Sequence, residues 1–276
     1  MGSVGRVVRG LLAGTGFLFF GAGGLLLSWT ILPVLRRRAN DGPTRSALSR
    51  EAVRRAFMLF HDYLRVLHLV RCNPRHHADA LPTEPAVVVA NHPTLIDVTA
   101  IMAADPSLIC LVKPSHFRGW LLGPLLRYCW HVPSVVGHAA AGAGVIVESL
   151  RRLEAGLPVL IFPEGTRSPV GGLNRFRRGA FEIACRGGVP VVPLHVEMNP
   201  PMLSKHAPWY MAPSRTPDLT VTALPRMDPT DFGNDSRAMA RAAEAGYKRV
   251  LAGQALVSWH DDETVKNRSE RTSEQP

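Results

Sequence analysis

The sequence predicts an α/β fold, a mainly parallel sheet flanked by helices, with an N-terminal membrane-associated helical segment. Three observations lead there. From residue 86 onward, apolar runs of strand length alternate with stretches of helical periodicity, the pattern of a parallel sheet. Two of those runs end in chemistry-bearing turns, Asn91-His92-Pro93 and Pro163-Glu164-Gly165, at the strand ends where such sheets gather ligands. Ahead of the body, Gly10 through Leu35 contains no charged residue.

That first segment would form a helix of about 39 Å at about 1.5 Å per residue, against a hydrocarbon core of about 30 Å, so its length permits a crossing. It is longer than the apolar stretch of a secretory signal, and Arg36-Arg37-Arg38 stands where a cleavage site would be, which favours retention. Gly14, Gly16, Gly21, Gly23 and Gly24 weaken a straight helix, so a bent, half-inserted hairpin stays open as an alternative. In a crossing, Arg36, Arg37, Arg38, Arg45 and Arg50 outweigh Arg6 and Arg9, which puts the body on the cytoplasmic face of the cell membrane. Residues 49–71 then read as an amphipathic helix, with Ser49 as N-cap and Val53, Phe57, Phe60, Leu64, Leu67 and Leu69 near helical spacing among arginines. Such a helix suits an anionic surface or the protein core equally.

The remaining elements follow in order: strand 86–90, helix 95–104, strand 108–112, helix 119–128, strand 131–136, helix 142–154, strand 157–162, helix 180–185, strands 189–196 and 219–224, and a closing helix 236–258. The polar tail, 261–276, is expected to be disordered. The organisation expected is therefore an anchoring region 1–71, a body 72–260 and a tail 261–276.

The net charge of +10 is concentrated: residues 1–71 hold 11 Arg against Asp41, Glu51 and Asp62. An excess that flanks an apolar segment points to anionic lipid and away from nucleic acid, whose binders spread basic residues over the folded face. Cys72, Cys110, Cys129 and Cys185 are scattered, without metal-ligand spacing or a disulfide framework, as in a reducing compartment. No metal is expected: His76-His77 is adjacent in a polar loop, and His131/His138 has no acidic partner at ligand spacing.

The chemistry centres on Phe162-Pro163-Glu164-Gly165-Thr166-Arg167-Ser168. Gly165, Thr166 and Arg167 put backbone N–H groups, a hydroxyl and a guanidinium around one small volume, an arrangement that holds phosphate. His92 and Asp97 are five apart and would lie about 140° apart on one helix, so they meet only if His92 is in the loop and Asp97 in the first helical turn. Pro93 agrees with that. The carboxylate would fix the imidazole tautomer and leave the other nitrogen as a base. This spacing alone is common by chance. No serine sits in a Gly-x-Ser-x-Gly elbow. Arg175, Arg177, Arg178 and Arg186 either steer an anionic donor or form a solvated basic face.

Asn91-His92-x4-Asp97, then Phe162 to Ser168, then Val189-Pro190-Val191-Val192-Pro193-Leu194, resembles the lysophosphatidic acid acyltransferase family over roughly residues 75–230. The resemblance implies an O-acyltransferase that moves a fatty acyl group from an acyl-CoA or acyl-carrier-protein thioester to the hydroxyl of a lysophospholipid such as 1-acylglycerol-3-phosphate, without a further cofactor. It implies His92 as general base with Asp97 as its partner, Arg167 and Lys113 on the acceptor phosphate, Glu164 seating the acceptor, and Val189 to Pro193 behind the site. The expected partners are membrane lipid and the acyl donor. One block departs: Cys129 to Val136 lacks the acid and the Arg that follow Gly-x-Ile-Pro in relatives, which leaves the headgroup open. Pro200-Pro201-Met202-Leu203-Ser204-Lys205 with Trp209-Tyr210 resembles a bacterial subgroup encoded beside acyl-carrier and polyene-pigment genes, which implies a polyene-type or ornithine-type lipid alcohol as the alternative acceptor. Two other readings stay open, a non-catalytic membrane lipid-binding protein and a hydrolase using water. Trp120, Leu121, Leu122, Leu125 and Leu126 line an acyl groove or pack in the core.

Overall fold

A computed structural model describes residues 3–39, 41–134, 139–205, 207–211 and 213–259. At its centre is a six-stranded sheet of order β3-β2-β4-β1-β5-β6: β1 (Val87–Ala90), β2 (Ile109–Val112), β3 (Val132–Pro133), β4 (Val159–Ile161), β5 (Val191–Asn199) and β6 (Asp218–Ala223). All pairs are parallel except β5 with β6. The β-branched run Val87-Val88-Val89 is wholly buried, as a strand covered on both faces must be. Val88, Ala90, Leu160 and Leu194 face one apolar layer, and Val87, Val89, Val159 and Val191 the other.

The first layer contains α3 (Gly42–Val66) and α4 (Asp97–Ala104); the second contains α7 (Ala139–Glu154), α8 (Gly179–Gly187) and α9 (Ser236–Leu251). Tyr247 of α9 is fully buried, and its hydroxyl donates to the carbonyls of Val89 (3.1 Å) and Leu194 (2.8 Å), tying that layer to the two central strands.

The N-terminal segment is helical throughout: α1 (Ser3–Leu26) passes through a π-helical turn (Leu27–Ile31) into α2 (Leu32–Arg37). Pro33 accounts for the turn, because it has no N–H for the carbonyl of Trp29 and its ring crowds that carbonyl. The glycines cause no reversal. Val8–Arg37 is long and apolar enough to cross a membrane, and only 22% of its most apolar window is buried.

The basic helix begins well before Ser49. Asp41 is the N-cap of α3, accepting from the backbone N–H of Thr44 (2.7 Å), and Pro43 stands in the first turn. Ser49 is inside the helix and donates to the Arg45 carbonyl (2.7 Å). Val53, Phe60 and Leu64 are buried in the core, whereas Leu59 and Val66 are exposed. Phe60, Leu64, Leu69 and Val70 share one apolar cluster with Val88 and Leu160, so the core runs unbroken past residue 71.

Two expected helices differ. Residues 119–128 do not form one helix: α5 (Pro114–Arg118) and α6 (Gly123–Tyr128) are separated, because Pro124 opens a new helix. A Cβ on Gly123 would lie 2.4 Å from the Phe117 carbonyl oxygen, so the junction admits only glycine. The closing helix ends at Leu251, with Gly253 at φ +78° just beyond. Residues 135–138 and the tail 261–276 lie outside the described residues.

Candidate active site

Because β1, β4 and β2 are neighbours and parallel, the turns that leave them emerge on one edge. His92 follows β1, Phe162 to Ser168 follow β4, and Lys113 follows β2, about 10 Å from β1 at two strand spacings. Asn91 fixes the exit of β1. Its amide donates to the Val196 carbonyl (2.8 Å) and accepts from the Val196 N–H (2.7 Å), so a side chain carries the β1–β5 pairing one step past the strand.

His92 is held on three sides. Its Nδ1 lies 2.7 Å from Asp97 Oδ2, which also accepts the Thr94 N–H (3.1 Å). The Phe162 ring packs against the imidazole, with centroids 4.5 Å apart. The His92 N–H donates to Glu164 Oε1 (3.2 Å) and Ser168 Oγ (3.0 Å), and its carbonyl accepts from the Ser168 N–H (2.7 Å). Asp97 opens α4 and is fully buried; burial pushes its carboxyl above the usual range, opposed by the imidazole and the Thr94 N–H. His92 Nε2 has no hydrogen-bond partner among the described residues, and the side chain is 18% exposed.

Glu164 is buried, and both its oxygens are engaged by the chain itself. Oε1 takes the His92 N–H and the Ser168 hydroxyl; Oε2 takes the backbone N–H (2.7 Å) and the amide (2.8 Å) of Asn174. Glu164, expected to seat the acceptor, thus has its lone pairs occupied by donors of the two loops, which it links to each other. Gly165 adopts φ +68°, and the Arg177 guanidinium lies 3.0 Å from where a Cβ would stand. Arg167 reaches the segment after β5, where Nη1 donates to the carbonyls of Leu203 (2.8 Å) and Ser204 (3.2 Å). Thr166 is half-buried, and Lys113 is exposed at the start of α5. The structure thus joins His92, Asp97 and Glu164 through Ser168 and Asn174, connects Arg167 to them by its carbonyl, which accepts from the Asn174 amide (3.1 Å), and sets Lys113 apart on the same edge.

Two cavities flank this cluster. One, of about 950 Å³, is apolar; it lies between α1, α3 and α4 and is lined by His92, Ile96, Leu122, Leu125, Leu126 and Leu203, among others. Trp120 and Leu121, expected beside these, line neither cavity: Trp120 is exposed and its carbonyl accepts from Trp29 Nε1 (3.1 Å), while Leu121 packs near Gly24. The other, an open cleft of about 670 Å³, lies by α8 and α9 and is lined by Thr166 and five arginines. Arg186 is not among them, being paired with Glu182 (2.7 Å).

Sequence spacing does not mark Asn91, Ser168 and Asn174 as holding the site together. Asn91 and Ser168 border the two motifs, which was the available signal; Asn174 carries none.

Residues 73–197 match the family model described as Acyltransferase. The mouse 1-acyl-sn-glycerol-3-phosphate acyltransferase alpha is 29% identical over 167 residues, 58% of this chain and 56% of its own. A 1-acyl-sn-glycerol-3-phosphate acyltransferase of Chlamydomonas reinhardtii is 28% identical over 182 residues, 66% and 54% of the two chains, and a chloroplastic one of Arabidopsis thaliana 33% over 110 residues, 40% and 31%. The chain therefore spans about a third to just over half of the length of these curated relatives. The crystal structure of the 1-acyl-sn-glycerophosphate acyltransferase PlsC from Thermotoga maritima has the same fold, with a TM-score of 0.70 at 20% identity over 90% of this chain and 97% of that one. Residues 73–197 are thus similar to the Acyltransferase family model and the chain to 1-acyl-sn-glycerol-3-phosphate acyltransferases, and the fold is the one PlsC has.

Proposed function

We propose that the protein transfers a fatty acyl group from a thioester donor to the hydroxyl of a lysophospholipid such as 1-acylglycerol-3-phosphate, with His92 as general base. The observation that carries this is the His92–Asp97 contact of 2.7 Å on an imidazole whose Nε2 is unengaged and which lines an apolar cavity of about 950 Å³. With Nδ1–H donated to Asp97, Nε2 presents a lone pair. It takes the hydroxyl proton as the oxygen attacks the thioester carbonyl, forming the C–O bond. Collapse of the tetrahedral intermediate breaks the C–S bond, and the imidazolium returns its proton to the leaving thiolate. Asp97 stabilises the imidazolium in between.

The cavity offers the apolar volume that an acyl chain needs. Arg167 commits Nη1 to two carbonyls and keeps Nη2 and Nε for an anionic headgroup, with Lys113 on the same edge. The apolar helix Val8–Arg37 and the exposed Trp29, Trp120, Trp209 and Tyr210 favour work at a bilayer, and the arginines after the helix favour its cytoplasmic face. The test is transfer from acyl-CoA or acyl-carrier protein to lysophosphatidate by the purified protein in detergent. His92→Ala is expected to cost about 10²–10⁴ in kcat, and an undiminished rate would reject the assigned base.

A further inference from the structure

Arg175, Arg177 and Arg178 precede or begin α8, and Arg237 and Arg241 belong to α9, yet all five line the cleft of about 670 Å³ together with Thr166. None of the five guanidinium groups makes a salt bridge or a side-chain hydrogen bond among the described residues. The two carboxylates in the lining are already engaged, Glu164 by His92, Ser168 and Asn174, and Glu244 by Lys248 (2.6 Å) and the Phe176 N–H (2.9 Å). Glu182, Asp235 and Glu244 lie near members of the group without bonding a guanidinium, and with five arginines against two carboxylates in its lining the concavity keeps a positive balance that attracts an anion. The volume is that of a nucleotide-sized pocket.

The position of the cleft narrows the ligand. It lies on the α8–α9 side of the sheet, whereas the apolar cavity lies on the α3–α4 side, and the two share no lining residue. No residue of α1, α2 or α3 lines it, so the cleft is not part of the surface those helices form. Between the two cavities stands the turn after β4. Phe162 packs on His92, Glu164 links to the His92 backbone, and Thr166 lines the cleft, with Gly165 letting Arg177 lie against the turn. A molecule with an acyl chain at one end, a thioester in the middle and phosphates at the far end of a long flexible arm matches this layout.

We propose that the arginine cleft binds the phosphate-bearing nucleotide end of an acyl-CoA donor, whose arm crosses the strand edge at 162–166 while its acyl chain enters the apolar cavity. The inference rests on the acyltransferase reading above. Several guanidinium forks fit several phosphates, where a carrier protein's arm would bring one phosphodiester.

The test compares the full-length protein in detergent with its Arg237→Glu/Arg241→Glu variant, both substitutions being at exposed positions. The expected result is a KM for palmitoyl-CoA raised roughly tenfold or more, with kcat and the KM for lysophosphatidate unchanged and a weaker salt dependence of KM. Palmitoyl-dephospho-CoA, which lacks one phosphate, is expected to raise KM in the wild type and much less in the variant. Equal KM values for the two donors in the wild type, or turnover from palmitoyl-carrier protein alone, would overturn the assignment. Calorimetric titration with free CoA separates this from the activity itself. CoA binding that is lost in the variant upholds the cleft even if no transfer is found with any donor, an outcome that would reject the acyltransferase reading. Transfer that proceeds with CoA bound equally well by both proteins rejects the cleft alone.

Discussion

Asp97 gives up all its solvation to hold one imidazole. Its second oxygen, Oδ1, has no hydrogen-bond partner among the described residues, and burial pushes its carboxyl above the usual range, so the fold bears a cost for keeping a charge there. On the proposed mechanism such a group serves activity more than stability. Asp97→Asn keeps the shape and removes the charge that steadies an imidazolium. Thermal melting should therefore stay within a few degrees of wild type, while kcat falls about 10²–10⁴. A mutant that lost stability and kept its rate would assign Asp97 a purely structural role. Glu164 works differently, since each of its lone pairs already has a donor within the chain.

Among the elements, the junction of α5 and α6 is the most constrained by a single residue. A Cβ at Gly123 meets the Phe117 carbonyl at 2.4 Å, and backbone cannot yield as a side-chain tip can. Gly123→Ala should destabilise the protein by about 1–3 kcal/mol, read as a fall in melting temperature. The same junction illustrates what sequence can convey. The apolar residues of 119–128 have helical spacing, but the break lies in Pro124 and in a backbone contact that periodicity does not register. Strand ends were legible because β-branched runs stop at polar turns, and so the nearness of His92 to the 162–168 turn could be foreseen. The arginine cleft was half legible: Arg175, Arg177 and Arg178 adjoin the turn, whereas Arg237 and Arg241 arrive on α9, which only the fold brings there. Arg186 looked equivalent and is instead paired along its own helix, one turn from Glu182.

For the molecule as a whole, acid sensitivity follows from buried histidines. His61 and His131 have pKa values pushed down to about 3 by burial, so the folded protein keeps them neutral. An unfolded chain protonates them below about 6.5. Their contribution to stability is thus complete above about pH 6.5 and is lost as pH falls from there toward 3. By pH 5 each should have removed about 2 kcal/mol. Carboxylates held low by arginine, such as Glu51 at about 2, act only in more acidic solution. A melting temperature that declines between pH 7 and pH 5, less steeply in His61→Leu, is the expected outcome; parallel declines in the two proteins would remove His61 from the explanation.

The apolar cavity is walled in part by α1 and its π-helical turn, and α3 joins the central core. On the proposed reading, the apolar rod is consequently building material for the enzyme, rather than a tether from which the catalytic half hangs. Cutting away residues 1–37 would flood the fatty-acid berth with solvent instead of releasing a freely dissolved catalyst, and bilayers of different thickness, by tilting that rod, should retune which chain lengths the berth accepts.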